Sequence, residues 1–379
     1  MGRVTEKGMN MEGVRSSNRG AVLSYLNTYG ASSRKRIAES LKLTTATLSI
    51  ITNELIKNEM VIELGEVTEN KVGRKKILVD INAKAGYALG LEIQNKKIIF
   101  VISDLKANVV HEQEWNIQQE LQEKEIKKIL DYIENEIIEI KDKIIGIGVL
   151  VRGEIKDNKA LNCPVPNILS LIEKKLGIKG IIENNMMGLV ISEFYFKEKH
   201  NNFWVLKYGP GIGSSVVMNG EILKRMDGRA VEFGHIPIIQ KNKGYVCPVC
   251  GKKGCLESEI HFDRLIEIFE EKGYFKNEGE TDFRFIERVS EEIGYNEIEK
   301  RLEMLAQYFN TAFSIIPTEE LVLSGEIFYN ERLLNYFIEK ITKENAKISK
   351  ENVRYMQNYS YKRKIAGALV VLEDFFRGY

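Results

Sequence analysis

Apolar, strand-like segments alternate with amphipathic helical segments over most of the chain, and this alternation occurs twice. The first series contains two strands in ALGLEIQNKKIIFVISDL, a charged helix in KEIKKILDYIENEIIEIKDK and a buried strand in IIGIGVLV. The second contains strands in FWVLKYG, GIGSSVVMNGEIL and ELVLSG, several helices through about residue 315, and a final apolar segment, IAGALVVLEDFF. Such alternation is typical of layered α/β proteins. It predicts a body of two α/β lobes with a cleft between them.

The length of 379 residues is too great for one compact core and indicates two or three domains. A composition of 44% hydrophobic and 29% charged residues is ordinary for a soluble globular protein. No apolar run follows the basic N-terminal residues, and no stretch of about 18 uncharged apolar residues occurs. We therefore expect neither a signal peptide nor a membrane span, and we expect a cytoplasmic location.

The first 85 residues are basic, with 14 Lys and Arg against 9 Asp and Glu, although the whole chain carries a net charge of only +1. Within them, NRGAVLSYLNTYG at 18–30 predicts one helix. SSRKRIAESL and TTATLSIITNELIKN predict two short helices, the first with a Ser cap and the second capped by Thr44 or Thr45. Two short helices with a tight link are typical of a helix-turn-helix, whose second helix enters the major groove of DNA N-terminus first.

A basic hairpin follows these helices. MVIELGEV and KKILVDI predict two strands around TENKVGR, whose basic tip suits a minor groove or the DNA backbone. Together these segments predict a winged helix-turn-helix domain over residues 1–82. A solvated hairpin on a small protein-docking domain is the alternative. The residues predicted to contact double-stranded operator DNA are Ser33, Arg34, Thr44, Thr45, Ala46, Thr47, Ser49, Lys71, Arg74 and Lys75.

The stretch CPVCGKKGC, residues 247–255, holds three of the four cysteines. In a reducing compartment such a cluster is more often a metal site or a redox pair than a disulfide framework. Two Cys separated by two residues are a common chelating spacing for tetrahedral Zn²⁺. A redox CxxC pair leaves the third cysteine unexplained, and inert thiols are a further alternative. Cys163, in NCPVPN, is interpreted as a small buried hydrophobic residue.

Taken in order, the motifs of this chain resemble those of the ROK family, which contains bacterial sugar-responsive repressors and sugar kinases. Behind the winged helix they are ENN at 183–185, GPGIGSSVVMNGEI at 209–222, VEFGH at 231–235, CPVCGKKGCLE at 247–257 and LVLSGE at 321–326. The resemblance extends from about residue 18 to the C-terminus, and co-occurrence in the family's order is more specific than any one motif. It implies an actin-like, hexokinase-like fold of the ribonuclease H-like type. The first lobe is expected over 83–195 and the second over 196–379, with a C-terminal helix that returns to the first lobe.

The resemblance also implies a closed structural site for one Zn²⁺ per chain. Its ligands would be His235, Cys247, Cys250 and Cys255. The family's usual spacing is CxCGxxGC, whereas Cys247 lies one residue further upstream here, and His261 is an alternative to His235. In the family, carboxylates and the His of the zinc motif hydrogen-bond sugar hydroxyls. The implied sugar-binding residues are Gly153, Asn184, Asn185, Glu232, His235 and Glu257.

Three positions depart from the pattern of the family's kinases. Asn185 stands where the catalytic base is expected, and an amide cannot take a proton; loss of such a base costs about 10²–10⁴-fold in rate. Glu92, Gln94 and Asn95 replace an Asp and a Gly-rich phosphate turn. The Gly pair on the adenosine side is reduced to Ser324-Gly325. We therefore expect no catalytic residues and no enzymatic activity.

The resemblance predicts a sugar-responsive transcriptional regulator, a repressor of genes for carbohydrate uptake or catabolism. A sugar or sugar phosphate would bind in the cleft and change how at least a homodimer reads a palindromic operator. Arg152, where the family usually has Pro, would recognise a phosphorylated or acidic sugar or form a salt bridge. The alternatives are an active sugar kinase with an attached DNA-binding domain, and a protein-docking module with a vestigial sugar pocket.

Overall fold

The structure is a computed structural model. It describes residues 11–67, 76–94, 97–117, 121–153, 155–161, 163–196, 201–225, 230–239, 243–344 and 347–378. The chain forms two compact units: unit 1 comprises Met1–Glu198 and Lys362–Tyr379, and unit 2 comprises Lys199–Tyr361. Within the described ranges, no helix combines the length and the apolar character that a membrane span requires.

Unit 1 opens with three helices and a small antiparallel sheet. These elements are α1 (Met11–Tyr29), β1 (Ser32–Ser33), α2 (Arg34–Ser40), α3 (Thr45–Lys57), β2 (Val61–Val67) and β3 (Lys76–Ile81). Strand β3 pairs with both β1 and β2. This is the order of a winged helix-turn-helix. Helix α1 starts before the predicted residue 18, because the prediction followed the apolar face, whose fully buried part begins only at Val22.

Side-chain caps start the two short helices of this module. The Ser33 hydroxyl accepts a hydrogen bond from the Arg36 N–H at 3.4 Å, and the Thr44 hydroxyl accepts one from the Thr47 N–H at 3.1 Å. Thr44 rather than Thr45 therefore caps α3. Ile37 of α2 and Leu48 of α3 are fully buried, so the apolar faces of both helices pack inside the module.

The rest of unit 1 is an α/β lobe. Its elements are β4 (Tyr87–Ile93), β5 (Lys97–Asp104), β6 (Val109–Asn116), α4 (Glu123–Glu136), β7 (Ile144–Val151), β8 (Ile155–Lys156), β9 (Lys159–Ala160), α5 (Ile168–Leu176), β10 (Gly180–Asn184) and α6 (Asn185–Tyr195). The main sheet has the order β10-β7-β4-β5-β6. Strands β10, β7 and β4 are parallel, whereas β5 and β6 continue the sheet antiparallel. The apolar strand β7, predicted at 144–151, lies inside this sheet.

Unit 2 is a second α/β lobe with a larger helical layer. Its elements are β11 (Phe203–Tyr208), β12 (Ile212–Met218), β13 (Glu221–Ile222), α7 (Leu256–Ile260), α8 (Phe262–Glu271), α9 (Asp282–Ile293), α10 (Asn296–Ile315), β14 (Glu320–Ser324), α11 (Glu331–Glu344) and β15 (Val353–Tyr355). The sheet order is β13-β12-β11-β14-β15. Trp204 of β11 packs edge-on against Phe309 of α10, with 5.5 Å between ring centroids, so α10 covers one face of this sheet.

The last helix, α12 (Tyr359–Gly378), belongs to unit 1 from Lys362 onward. It lies directly on the sheet of that unit, since a Cβ added to Gly148 of β7 would come within 2.0 Å of the Gly367 carbonyl oxygen. The Lys362 ammonium donates to the Glu193 carboxylate of α6 at 2.5 Å, and both side chains are buried. Backbone contact and a buried ion pair thus fix α12 against β7 and α6.

Candidate functional site

Three short segments of unit 2 bring the cysteine cluster together. His235 ends a 3₁₀ turn, Phe233–His235, and Cys255 is the N-cap residue of α7. Isolated bridges join Pro237 to Cys255 and Val246 to Lys253. These bridges bring the segment that carries Cys247, Cys250 and Cys255, here called the cysteine knuckle, close to His235.

The His235 side chain and the three cysteines of the knuckle lie close enough together to hold one metal ion. Nδ1 of His235 and Sγ of Cys247 are 3.7 Å apart, and the Sγ atoms of Cys250 and Cys255 are 3.6 Å apart. All four ligand atoms lie within 4.8 Å of one another. Around zinc, with sulfur at about 2.3 Å and nitrogen at about 2.0 Å, tetrahedral ligand atoms are roughly 3.5–3.8 Å apart. The residues present therefore fit one metal ion, and Cys247 joins the group despite its unusual spacing.

Burial shapes the chemistry of these thiols. Burial, and then the neighbouring Cys250, raises the pKa of Cys255, and burial also raises the pKa of Cys247. Thiols of this kind stay protonated unless a cation compensates the thiolate charge, and a bound divalent ion does so. A three-thiol, one-imidazole donor set without a carboxylate is typical of a closed structural site.

His261, the alternative ligand, lies outside this cluster. Its ring is buried, and Nδ1 accepts a hydrogen bond from the Asp263 N–H at 3.2 Å, which caps α8. Its role in the structure is therefore a helix cap, and His235 is the imidazole of the cluster.

Glu257 follows the last cysteine and is almost fully buried. Its Oε2 accepts a hydrogen bond from the Ile212 N–H at 2.7 Å. Two glycines leave room for this carboxylate: a Cβ on Gly211 would lie 2.0 Å from Oε1, and a Cβ on Gly234 would lie 2.8 Å from Oε2. Glu257 thereby connects α7 to the start of β12 and to the turn that carries His235.

The other residues implied for sugar binding occupy turns in their own units. Glu232 precedes the His235 turn and pairs with Arg225 at 2.5 Å. In unit 1, the Asn184 side chain donates to the Gly153 carbonyl at 2.7 Å and accepts from the Met186 N–H at 2.8 Å. Asn185 is the first residue of α6. The structure thus brings Gly153 and Asn184 into contact, and their predicted role remains a prediction.

The polar start of α3 is the accessible edge of the winged helix. Thr44, Thr45 and Ala46 are exposed, whereas Thr47 and Ser49 are half-buried. The Thr47 hydroxyl lies 2.8 Å from that of Thr44, and the Ser49 hydroxyl donates to the Thr45 carbonyl. Polar side chains at an exposed helix N-terminus are suited to contact with base edges and phosphates.

The remaining residues predicted to contact DNA differ in setting. Arg34 donates to the Thr52 hydroxyl at 2.9 Å and to the Glu63 carboxylate at 2.7 Å, so its guanidinium joins α2, α3 and β2. Ser33 is the cap of α2. The basic residues of the wing tip lie outside the described residues; they are Lys71, Arg74 and Lys75.

Two residues that shape this region of unit 2 were not predicted from the sequence. Ser214 of β12 donates its hydroxyl to the Val231 carbonyl at 2.6 Å and accepts from the Phe233 N–H at 3.1 Å. Arg225 pairs with Glu232. Ser214 occupies an inward position of a strand, where a polar residue needs a partner, and that alternation was the available signal.

Residues 88–374 match the family model described as ROK family. The chain belongs to the ROK family. The matched region runs from β4 into α12 and includes the metal cluster.

Curated ROK relatives include named repressors. The xylose repressor of Bacillus spizizenii is 28% identical over 251 residues, which are 63% of this chain and 64% of the repressor, so less than two thirds of its length is matched. The regulator NagC of Escherichia coli, named a DNA-binding transcriptional dual regulator, is 21% identical over 387 aligned residues, 96% of this chain and 94% of NagC.

A solved ROK structure shares the fold over nearly the whole chain. It is described as a ROK family transcriptional regulator, a homologue of the E. coli MLC protein. The TM-score is 0.76 at 17% identity, and the match covers 96% of this chain and 97% of that chain. The predicted α/β fold class, with its ROK body, is confirmed.

Glu92, one of the residues interpreted as a departure from the kinase pattern, has a charged partner in the structure. Glu92 lies near the end of β4, is 3% exposed, and accepts a hydrogen bond from Arg363 Nε at 3.2 Å. The Gln94 N–H donates to the Lys97 carbonyl at 2.8 Å, and Asn95 lies outside the described residues. An arginine of α12 therefore holds the Glu92 carboxylate.

Proposed function

We propose that this ROK protein is a sugar-responsive, DNA-binding transcriptional regulator that represses genes for carbohydrate uptake or catabolism. One observation carries the proposal: a winged helix-turn-helix with an exposed polar start of α3 is joined to a ROK body. The names of the xylose repressor and NagC support it, since both are regulators. The protein would work in the cytoplasm, where its operator lies.

On the DNA side, we propose that α3 enters the major groove and the wing contacts the adjacent backbone. The exposed residues Thr45 and Ala46 would reach base edges, with Thr47 and Ser49 behind them. Lys71, Arg74 and Lys75 would add phosphate contacts and steer association. A homodimer presents two such helices to a palindromic site, which matches protein symmetry to operator symmetry.

On the effector side, we propose that a sugar or sugar phosphate is recognised by the residues the family resemblance implies. They are Gly153, Asn184, Asn185, Glu232, His235 and Glu257. Carboxylate groups accept hydrogen bonds from neighbouring hydroxyls, and amide groups both accept and donate them. The effector then acts by linkage: it binds one arrangement of the protein more tightly, and the population shift changes the affinity for DNA.

We propose that the ion at His235, Cys247, Cys250 and Cys255 is a structural Zn²⁺, one per chain. When bound, it would supply a fixed cross-link between three segments and stabilise the thiolates. The residues around the ion position the neighbouring segments. Glu257 accepts a hydrogen bond from the Ile212 N–H, and Ser214 bonds the backbone of Val231 and Phe233 beside His235.

We further propose that this chain does not phosphorylate sugars. Asn185 cannot act as a base, and Glu92 is bound by Arg363. The test is a coupled assay of ATP turnover with a pool of common sugars, on wild type and on Asn185→Ala. Background turnover in both proteins is expected. Sugar-dependent turnover that Asn185→Ala abolishes would instead favour an active kinase with an attached DNA-binding domain.

The regulator proposal is tested by selecting random double-stranded DNA on purified, zinc-loaded protein, with and without a pool of sugars and sugar phosphates. We expect enrichment of a two-fold symmetric site that the pool weakens or strengthens. Failure to enrich any sequence in either arm, at low salt, would overturn the proposal and favour a protein-docking role for the N-terminal module.

A further inference from the structure

The segment that connects the winged helix to the first lobe is held from both sides. It is a single 3₁₀ turn, Ala83–Ala85, preceded by Asn82. The Asn82 N–H donates to the Met60 carbonyl at 2.9 Å, and its side chain donates to the Glu59 carbonyl at 2.8 Å. From the lobe, the Leu105 N–H donates to the Ala83 carbonyl at 3.1 Å. A flexible linker has no such fixed partners, so this connection has little slack.

A charged contact joins the same two parts beside this turn. The Lys106 ammonium, in the turn between β5 and β6, donates to Asp80 Oδ2 of β3 at 2.6 Å. The Asp80 side chain is mostly buried, and its Oδ1 accepts from the Ile81 N–H at 2.8 Å. A carboxylate in this position needs its cation, because an unpaired buried charge is strongly unfavourable.

A second set of contacts joins α1 to two helices of the lobe, α12 and α6. Gly20 of α1 is buried, and a Cβ there would lie 2.8 Å from the Phe376 carbonyl oxygen in the last turn of α12. Only a glycine permits this backbone approach. The Tyr195 hydroxyl, at the end of α6, donates to the Asn27 side chain in the last turn of α1. The two lobe helices, α12 and α6, are in turn held together by the Lys362–Glu193 ion pair.

We propose that these contacts make the winged helix and the first lobe one rigid body, and that Gly20, Tyr195 and Lys106 are positioning residues for DNA binding. The inference rests on the proposed function. Domains joined by short chain segments move relative to each other by default unless the contacts between them are extensive. Here contacts occur at the connecting turn, at β3 and along α1. Any rotation of unit 1 therefore turns α3 with it.

A fixed α3 has a consequence for operator recognition. In a dimer, two rigidly held recognition helices favour one spacing of half-sites, whereas two loosely tethered modules accept several spacings with less avidity. The positioning residues should therefore affect the affinity for a full palindrome and leave the affinity for a single half-site unchanged.

The packing of the winged helix against the first lobe is measured first, without DNA, by hydrogen exchange of the full-length, zinc-loaded chain. Gly20→Leu is the test variant, since leucine is a good helix former and its Cβ alone would come within 2.8 Å of the Phe376 carbonyl oxygen. Gly378→Leu is the matched control, because nothing lies within 4 Å of a Cβ there. We expect at least about tenfold faster exchange in the last turns of α1 and α12 for Gly20→Leu only. Exchange equal to wild type would overturn the proposal.

If Gly20→Leu does not fold, the double variant Tyr195→Phe with Lys106→Met replaces it. It removes one hydroxyl and one ammonium, while both side chains keep their approximate size. We expect the same faster exchange at the ends of α1 and in Ala83–Ala85, and unchanged exchange there would equally overturn the proposal.

The second measurement compares binding to a selected full palindrome and to one half-site. We expect the undocked variant to lose about tenfold in affinity for the full site and to keep half-site affinity within about twofold. Equal loss on both duplexes would contradict a positioning role. If wild type binds neither duplex, the proposed DNA function fails, and the exchange data still decide whether the winged helix is docked.

Discussion

The buried carboxylate of Glu257 accepts a hydrogen bond from the backbone N–H of Ile212, with 2.7 Å between Oε2 and N. Glu257 follows Cys255, the N-cap residue of α7, by two residues, whereas Ile212 begins β12. The bond therefore connects the cysteine knuckle to the glycine loop 209–211. Two further bonds hold this part of the chain to α7 and α8: the Phe262 N–H donates to the Pro210 carbonyl of the loop at 2.8 Å, and the hydroxyl of Tyr208, just before the loop, donates to the Ile260 carbonyl at 2.6 Å.

Replacing Glu257 by Met should lower the free energy of unfolding by about 1–3 kcal/mol, because the Ile212 N–H loses a charged acceptor inside the protein. Glu271→Met, on the exposed side of α8, should stay within about 0.5 kcal/mol of wild type. Urea unfolding of the zinc-loaded proteins measures both values. Equal stability of the two variants would contradict the role assigned to Glu257.

Purified protein should contain about one zinc ion per chain, and Cys250→Ser should lose it, because three ligands hold the ion far more weakly than four. Cys163→Ser, at a cysteine of unit 1 outside the cluster, should retain full metal content. Metal analysis after dialysis gives the stoichiometry. Full zinc content in Cys250→Ser would show that the cluster is not the metal site.

A thermal scan of the same proteins tests whether the metal is structural. Chelation of wild type should lower the unfolding temperature of unit 2 and leave Cys250→Ser unaffected, since that variant has no ion to lose. An unfolding temperature that is insensitive to chelation in zinc-loaded wild type would contradict a structural role.

Thr45→Ala and Lys75→Ala should weaken DNA binding in different ways. Thr45→Ala should reduce affinity for the selected operator about tenfold with little effect on random DNA, because a base contact carries sequence information. Lys75→Ala should weaken all sequences alike and reduce the slope of log affinity against log salt by about 1. Thr311→Ala, on α10 of unit 2, is the control for Thr45→Ala and should bind like wild type. Titrations at several salt concentrations separate these outcomes.

The Glu280–Arg288 pair of unit 2 should make a pH-dependent contribution to stability. Arg288 donates to the two carboxylate oxygens at 2.8 and 2.9 Å, and this pairing lowers the pKa of Glu280 from its ordinary 4.5 to about 2. A lowered pKa in the folded state means that the contribution is fully present above about pH 4.5 and is lost as the pH falls toward about 2.

Glu280→Gln should therefore unfold at a lower temperature than wild type at pH 6, and the two melting temperatures should converge as the pH falls below 4.5. Calorimetry at pH 6, 5, 4 and 3 measures the difference. A difference that is constant over this range would show that the ion pair makes no contribution to stability.

Local patterns predicted the elements that local chemistry decides. The cap of α3 and strand β7 follow from short runs of residues, a Thr before an apolar helix face and an uninterrupted apolar strand. Both signals lie within a few residues of the feature that they predict. The family resemblance, rather than a local pattern, implied His235 as the partner of the three cysteines, and the structure places the four side chains together.

Two other elements differ from the prediction. The apolar pattern of α4 continues beyond the end of the helix, and polar residues obscure the alternation of β6. The helix predicted over 124–143 ends at Glu136, where Ile137 is the C-cap residue and is fully buried, whereas Ile138 is 72% exposed. Strand β6 was not predicted: its inward positions include His111 and Gln113, and their polarity masked the alternation.

Contacts between distant segments could not be predicted from one sequence. Nothing near Glu257 indicates Ile212 as its partner, and nothing near Gly20 indicates the Phe376 carbonyl, because tertiary packing sets both contacts. The predicted boundary at residue 82 follows the end of the second predicted wing strand and stays a prediction, and the structure places the winged helix and the first lobe in one compact unit.

The most direct test of the account is the Kd of the full-length, zinc-loaded protein for its selected palindromic duplex, measured with and without a saturating sugar that the protein binds. For a sugar-responsive regulator we expect the sugar to change the duplex Kd at least about fivefold, and the duplex to change the affinity for the sugar by the same factor. A duplex Kd that is identical with and without the bound sugar would contradict a sugar-responsive regulator.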